Sequence, residues 1–468
     1  MQLEFYGASH GVTGSCHILR VNGHSLLLDC GMIQGGKRLE ALNEKPFPFA
    51  ADEIDAVILS HAHIDHSGRL PLLVRRGFKG NIWTQNVSRD LCGILLADSA
   101  HIQESDAAYK NRKAKPGTAK VKALYSSADA ASALKQFKGV PYQQWQAVLP
   151  GVRVRFHDAG HILGSAVVEL DLREGDIHRR FVFSGDLGQF DTPILRDPQT
   201  PKRADLILME TTYGGRRHRD RQATIDEIGE IIKAAAETRG NILIPAFAVG
   251  RSQEVLYQLA THYDSWGMNR FKVFLDSPMA IEASEVYWNN PQVLDKAARL
   301  VRDDAGEMPL LPNLELTRSS DQSKAINKYK HSAIIVAASG MCTGGRILHH
   351  LRNNLANPGT QVIIVGYQAN GTLGRRLVDG ADEIRLFGQT IQVKAKIHTV
   401  GGLSAHGDQD DLARWYEGFD NKPAVYLVHG EDESKLEFRD YLQKRCGVLA
   451  GLSEPGKILD LNSISAAG

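Results

Sequence analysis

Apolar and polar residues alternate along the first 30 positions in three strand-like segments, 3–6, 16–21 and 25–29, with Gly7, Gly11, Gly14 and Gly23 marking the turns between them. Residues 56–60 form a short uninterrupted apolar run, the pattern of a buried strand, and it leads straight into a histidine-rich segment. Helical spacing follows over 67–76 and again over 88–112. Strands are predicted at 152–156, 166–172, 180–183 and 205–209. The rhythm then changes to strict alternation: helix 222–238, strand 241–246, helix 252–262, strand 271–275, helix 281–287, strand 333–338, helix 346–354 and strand 361–366. Such alternation predicts a parallel sheet with helices packed on it. Strands at 384–387 and 391–397, a helix at 408–418, a strand at 424–428 and a helix at 434–445 complete the pattern, and 463–468 are expected to fray.

A chain of 468 residues exceeds one ordinary core, so at least two domains are expected. Hydrophobic residues make up 43% and charged residues 23%, the balance of a globular enzyme. The net charge of +1 excludes a polycation, so nucleic-acid binding would need a local patch. The basic stretch 110–122 has six cationic side chains and no acid, and Arg216, Arg217, Arg219 and Arg221 form a second run. Five scattered cysteines without a CxxC pair suggest free thiols in a reducing compartment. Neither a basic-then-apolar leader nor a run of about 18 apolar residues is visible, so a cytoplasmic protein without a membrane span is expected.

The chemistry concentrates in the 18 histidines. His61, His63, Asp65 and His66 place three imidazoles and one carboxylate within six residues after a buried strand. Both groups are good zinc ligands, and alternate positions of a turn can aim at two neighbouring ions. His161 and Asp186 lie in further glycine-flanked turns after strands, where taken alone each reads as an ordinary turn residue. Two metals about 3.5–4 Å apart need a bridging carboxylate, for which Asp186 is the natural choice. His17, His24, His101, His157, His349, His350 and His398 read as structural, while the glycine-rich loop around His10 is expected near the metals.

In this order, Asp29 in Leu28-Asp29-Cys30-Gly31, the HxHxDH at 61–66, His161 and Asp186 resemble the sequential motifs of the metallo-β-lactamase superfamily. Glu210 in Met209-Glu210-Thr211-Thr212-Tyr213, His406 in Ser404-Ala405-His406-Gly407-Asp408 and His429 in Val428-His429-Gly430 resemble motifs A, B and C of its β-CASP nucleases. Blocks 245–251, 275–279, 339–346 and 365–368 match the same group, so the resemblance covers nearly the whole chain. It is similar to bacterial and archaeal relatives of the pre-mRNA 3′-end-processing endonuclease.

The resemblance implies an αββα sandwich, in parts 1–210 and 386–468, with a parallel-sheet α/β domain inserted at 211–385. It implies two zinc ions: His61, His63 and His161 on one, Asp65, His66 and His429 on the other, Asp186 bridging, and Asp29 orienting the ligands. His406, oriented by Glu210, would protonate the leaving group, and Asp65 counts with both metal and catalytic sets. The implied activity is endonucleolytic hydrolysis of RNA, leaving 5′-phosphate and 3′-hydroxyl ends. DNA-processing members typically carry an apolar residue at motif C, so His429 favours RNA. A 5′–3′ exonuclease resembling RNase J usually adds a C-terminal domain, whereas this sequence ends 39 residues after His429. A small-molecule (thio)esterase of the same fold would leave the insertion and the SAHGD block without a role. The insertion is expected to leave a cleft over the metals, with Arg251, Arg346 and the glycine-rich turn at Ser339 as substrate contacts. Single-stranded RNA is the expected partner and a second copy of the chain a further one.

Overall fold

The computed structural model describes residues 1–115, 117–238, 240–301 and 311–464. Position 116 of the basic stretch and 465–468 of the expected frayed end lie outside them. The chain forms two compact units, Met1–Arg217 with His406–Gly468, and His218–Ala405.

The first unit contains two seven-stranded sheets. In spatial order one runs Ile458–Asp460, Gln2–Phe5, His17–Val21, His24–Leu28, Ala56–Ile58, Asn81–Gln85 and Phe137–Val140. The other runs Gly451–Leu452, Ala424–Val428, Leu206–Glu210, Ile177–Phe183, Ala166–Glu174, Val152–Asp158 and Gln146–Leu149. Alternate residues of both sheets (Leu3, Phe5, Leu19, Leu26, Leu28 facing Val154, Phe156, Val168, Leu170, Phe181) fill one core between them. Helices cover the outer faces. Leu91, Cys92, Leu95 and Leu96 of Asn86–Lys113 are buried beside the first sheet, and Leu412, Trp415, Phe438 and Leu442 of the last two helices pack on Val182, Ile207 and Leu427 of the second. This is the αββα sandwich that the resemblance implies.

Strand direction decides where chemistry gathers. Ile177–Phe183, Leu206–Glu210 and Ala424–Val428 are mutually parallel, and Val152–Asp158 shares their direction through two antiparallel pairings. Residues following all four strands, including His161, Asp186 and His429, therefore emerge at one edge. His24–Leu28 and Ala56–Ile58 are likewise parallel, bringing Asp29 and His61 out together.

The second unit has a six-stranded, all-parallel sheet in the order Leu314–Leu316, Lys272–Leu275, Ala333–Ala337, Ile242–Pro245, Gln361–Ile364 and Lys396–Thr399. The helix and strand positions read from the alternation fall on elements of this unit; outside that stretch two readings depart from the structure. Residues 67–76, expected as one helix, form Ile64–Ser67 and Leu70–Arg75. The expected strand 391–397 divides into Gln389–Gln392, which closes a hairpin with Glu383–Leu386, and Lys396–Thr399, which pairs with Gln361–Ile364. That last pairing keeps 386–405 in the second unit, so the chain returns to the first at His406 and not at 386.

Asp276, directly after Lys272–Leu275, is fully buried and ties this unit together. Its carboxylate accepts from Thr317 Oγ1 at 2.5 Å, Ser323 Oγ at 2.6 Å and Arg346 Nη1 at 2.7 Å, with His350 Nε2 at 2.6 Å. Burial disfavours its charge, but these bonds outweigh burial and hold the carboxyl down at about 2, from an ordinary 3.8. A lowered folded-state pKa contributes stability above the unfolded value, and that stability is lost as pH falls from about 4 through 2. Asp276→Ala is expected to destabilise this unit at pH 7 by roughly 3–5 kcal/mol, because it removes the counter-charge of the half-buried Arg346 and leaves the Thr317 and Ser323 hydroxyls and His350 Nε2 without their shared partner. Thermal melts of wild type and variant at pH 7 and pH 3 check this. The gap should narrow at the lower pH, and coincident melts at pH 7 would refute the assignment.

Candidate metal centre

The site is built on Asp29, which follows a strand and has a left-handed backbone with φ of 56°. Its fully buried carboxylate takes the Ser60 amide at 2.8 Å, Ser60 Oγ at 2.9 Å and Ser15 Oγ at 3.1 Å, and lies 2.7 Å from His66 Nδ1. One side chain thus fixes two strand ends and turns His66 so that Nε2 faces away from it, toward the centre. The segment 61–66 is held equally closely by backbone. Ser15 donates its amide to Asp65 O at 2.9 Å, and Cys30 to His66 O at 2.8 Å. Gly31 lies so near Asp65 that a Cβ there would sit 1.5 Å from its carbonyl oxygen.

Three overlapping groups of potential ligands result, each with its atoms within 4.8 Å of one another: His61, His63, His161 and Asp186; Asp65, His66 and His429; and Asp186, Glu210 and His429, which shares members with the first two. Asp186 lies between the first two. Its Oδ2 is 3.5 Å from both His61 Nε2 and His161 Nε2, while Oδ1 is 3.2 Å from His66 Nε2 and 3.5 Å from His429 Nδ1. The ring nitrogens also converge: His61 on His63 at 3.2 Å, His161 on His63 at 3.0 Å, and His66 on His429 at 3.1 Å. Asp186 Oδ1 is buried without a hydrogen-bond partner. A buried, unbonded carboxylate oxygen facing imidazole nitrogens fits a cation between these groups, and the N/O donor set suits zinc. Burial opposes the charge on Asp186, but His429, His66 and His61 outweigh it and hold the carboxyl well below its ordinary range.

Beside this cluster lies a second pair. Glu210 is fully buried. Its Oε1 accepts from the Leu187 amide at 2.7 Å, its Oε2 from the Thr212 amide at 3.0 Å, and His406 Nδ1 stands 3.2 Å from Oε1. The imidazole of His406 packs on His161, with centroids 4.4 Å apart, and lies edge-on to Tyr213 at 5.9 Å. Burial disfavours the imidazolium, but Glu210, with smaller contributions from Asp186 and Asp65, more than compensates and holds its pKa up at about 9.

The structure thus brings together His61, His63, Asp65, His66, His161, Asp186, Glu210, His406, His429 and Asp29. The residues read as substrate contacts are engaged within their own unit. Arg346 is bonded to Asp276, Thr317 O and Arg318 O, and Arg251 is paired with Glu254. Ser339 Oγ receives the Thr343 amide at 3.0 Å and the Gly344 amide at 3.2 Å, so these donors of the glycine-rich turn are already occupied. Beside the metal groups, His429 donates its amide to Ala8 O at 2.7 Å, which brings the 7–14 loop in as expected; exposed His10 pairs with Asp432 at 2.9 Å. Tyr213 and Thr212, whose Oγ1 lies 3.2 Å from His429 Nδ1, were not singled out from the sequence, although both lie within three residues of Glu210 in its motif.

Comparison with known proteins agrees with this geometry. Residues 11–228 match the Metallo-beta-lactamase superfamily, 252–377 the Beta-Casp domain, and 390–449 a Zn-dependent metallo-hydrolase RNA specificity domain. The chain is 37% identical over 448 residues to Ribonuclease TTHA0252 of Thermus thermophilus, covering 95% of this chain and 96% of that protein. It is 30% identical to Transcription termination factor FttA of Methanocaldococcus jannaschii, covering 95% of this chain and 69% of that one. A solved protein of unknown function from Enterococcus faecalis shares the fold, with a TM-score of 0.57 at 13% identity over 98% of this chain and 99% of that one. The chain belongs to the metallo-β-lactamase superfamily, in its β-CASP branch. By that membership it is a metal-dependent hydrolase.

Outer partners of metal ligands commonly contribute 10- to 100-fold in affinity. Asp29→Ala is therefore expected to weaken metal binding by roughly that factor, read by chelator competition on the intact protein. Unchanged affinity would remove Asp29 from the centre.

Proposed function

We propose that this protein is an RNA endonuclease that uses two zinc ions. His61, His63 and His161 would hold one ion and Asp65, His66 and His429 the other, with Asp186 between. The observation carrying this reading is the division of the Asp186 carboxylate, one oxygen toward each group of imidazoles. Zinc held by these residues would supply Lewis acidity toward water and phosphoryl oxygens.

The chain's own residues account for the remainder. Asp29 turns His66, and the buried Glu210 keeps a proton on His406 by accepting from Nδ1, leaving the Nε2 proton for substrate. When water attacks phosphorus and the 3′-oxygen departs, that oxygen needs a proton, and His406 Nε2 delivers it. The products carry 5′-phosphate and 3′-hydroxyl ends, and no 2′-hydroxyl acts as nucleophile. RNA as substrate is supported by a histidine at 429, by the match to an RNA specificity domain and by a ribonuclease relative.

Zinc-loaded protein is expected to bind two ions per chain and to open a circular RNA into linear products with 5′-phosphates. His406→Ala should keep both ions and lose roughly 100- to 10,000-fold in rate, the usual contribution of a general acid. Failure of metal-replete protein to cut circular RNA, while it degrades linear RNA from the 5′ end, would overturn the endonuclease in favour of an exonuclease. Failure on both RNAs would sink the nuclease reading.

A further inference from the structure

Five aromatic rings are notably exposed among the described residues: Tyr109, Phe247, Tyr329, Tyr367 and Phe387. Three already have partners. Lys113 sits over Tyr109, Tyr329 packs edge-on against Phe274, and Phe387 stacks on His349 with Arg352 above it. Among the described residues, no ring or cation stacks on Phe247, 43% exposed, or on Tyr367, 60% exposed.

Both belong to one edge of one sheet. Phe247 follows the strand Ile242–Pro245 by two residues and Tyr367 follows Gln361–Ile364 by three. Those strands are parallel neighbours, so both rings emerge at the carboxyl ends, where sheets of this kind bind ligands.

The Phe247 ring has a rigid backing. It lies on two glycines: a Cβ at Gly340 would be 2.9 Å from its Cδ2, and one at Gly366 would be 3.8 Å from its Cε2. Buried Gln368 donates Nε2 to Gly340 O at 2.9 Å and to Gly366 O at 3.1 Å, tying the two glycine loops to each other. Of the apolar residues of these loops, Cys342 and Val365 are buried and Met341 and Ala369 partly so, while Thr343 is exposed and Gly344 and Gly366 are half-buried. A broad apolar docking patch would continue into exposed aliphatic side chains. An exposed ring packed against glycine backbone, as Phe247 is, with a second exposed ring on the neighbouring strand end, suits the π-face of a nucleobase.

We propose that Phe247 and Tyr367 form a base-stacking platform for single-stranded RNA on the second unit. The proposal rests on the ribonuclease reading for the identity of its ligand. It also gives the 245–251 and 365–368 blocks a role that the metal centre does not supply.

The test uses the full-length, zinc-loaded protein with His406→Ala, to suppress cleavage, and a single-stranded RNA carrying 2-aminopurine. Stacking should quench the fluorophore. Phe247→Ala and Tyr367→Ala, each checked for an unchanged melt, should raise Kd on the order of tenfold and relieve the quenching. Phe247→Trp should retain both. An oligonucleotide of the same length without bases should bind wild type and variants alike. Unchanged Kd and quenching in both alanine variants would overturn the platform and leave these rings to a protein partner. Cleavage of circular RNA by the same variants with His406 restored separates the two readings. Cutting with unaltered binding refutes only the platform, whereas RNA that the parent neither binds nor cuts refutes both.

Discussion

The structure depends on burying many ionisable groups at one edge of a sandwich without leaving them uncompensated. His61, His66, His161, Asp186, Glu210 and His429 are each no more than 3% exposed. Such a set costs several kcal/mol per unpaired charge, so each group must be held by a partner or share a cation. Asp29 meets part of that cost with four contacts from three residues, and Glu210 does so with two backbone amides and His406. Asp186 keeps one buried oxygen unbonded, which marks where the cation belongs.

The second unit solves a related problem by the same means. Asp276 lies at a strand end, as Asp29 does, and gathers donors from segments far apart in sequence: Thr317, Ser323, Arg346 and His350. In both units a buried carboxylate at the end of a strand fixes segments that lie far apart in sequence. Close glycine contacts complete the arrangement. Gly188 would put a Cβ 1.8 Å from Gly160 O beside His161, as Gly31 would against Asp65. Loops packed backbone to backbone have little freedom, and a site of this kind needs that.

Much of this was legible in the chain. The HxHxDH run is contiguous and follows a buried strand, so local pattern alone located it. The alternation after residue 210 announced a parallel sheet because apolar strands and amphipathic helices differ in period. Motif order joined His161, Asp186, Glu210, His406 and His429 to the same centre, although none of them stands out by itself. Arg346, by contrast, reads from sequence as a phosphate contact, since a charged side chain after glycines does not reveal that Asp276 is waiting for it. Tyr213 beside His406, and the Phe247 ring on Gly340 and Gly366, depend on contacts between segments that no local period encodes.

The sequence by itself therefore determined the ligand types, their order along the chain and the two kinds of sheet, because composition and periodicity are local properties. Tertiary structure decided which oxygen of Asp186 faces which imidazoles, where residues 386–405 belong, and which arginines are already paired. Those outcomes depend on strand direction and on through-space pairing, which are settled only when distant segments pack.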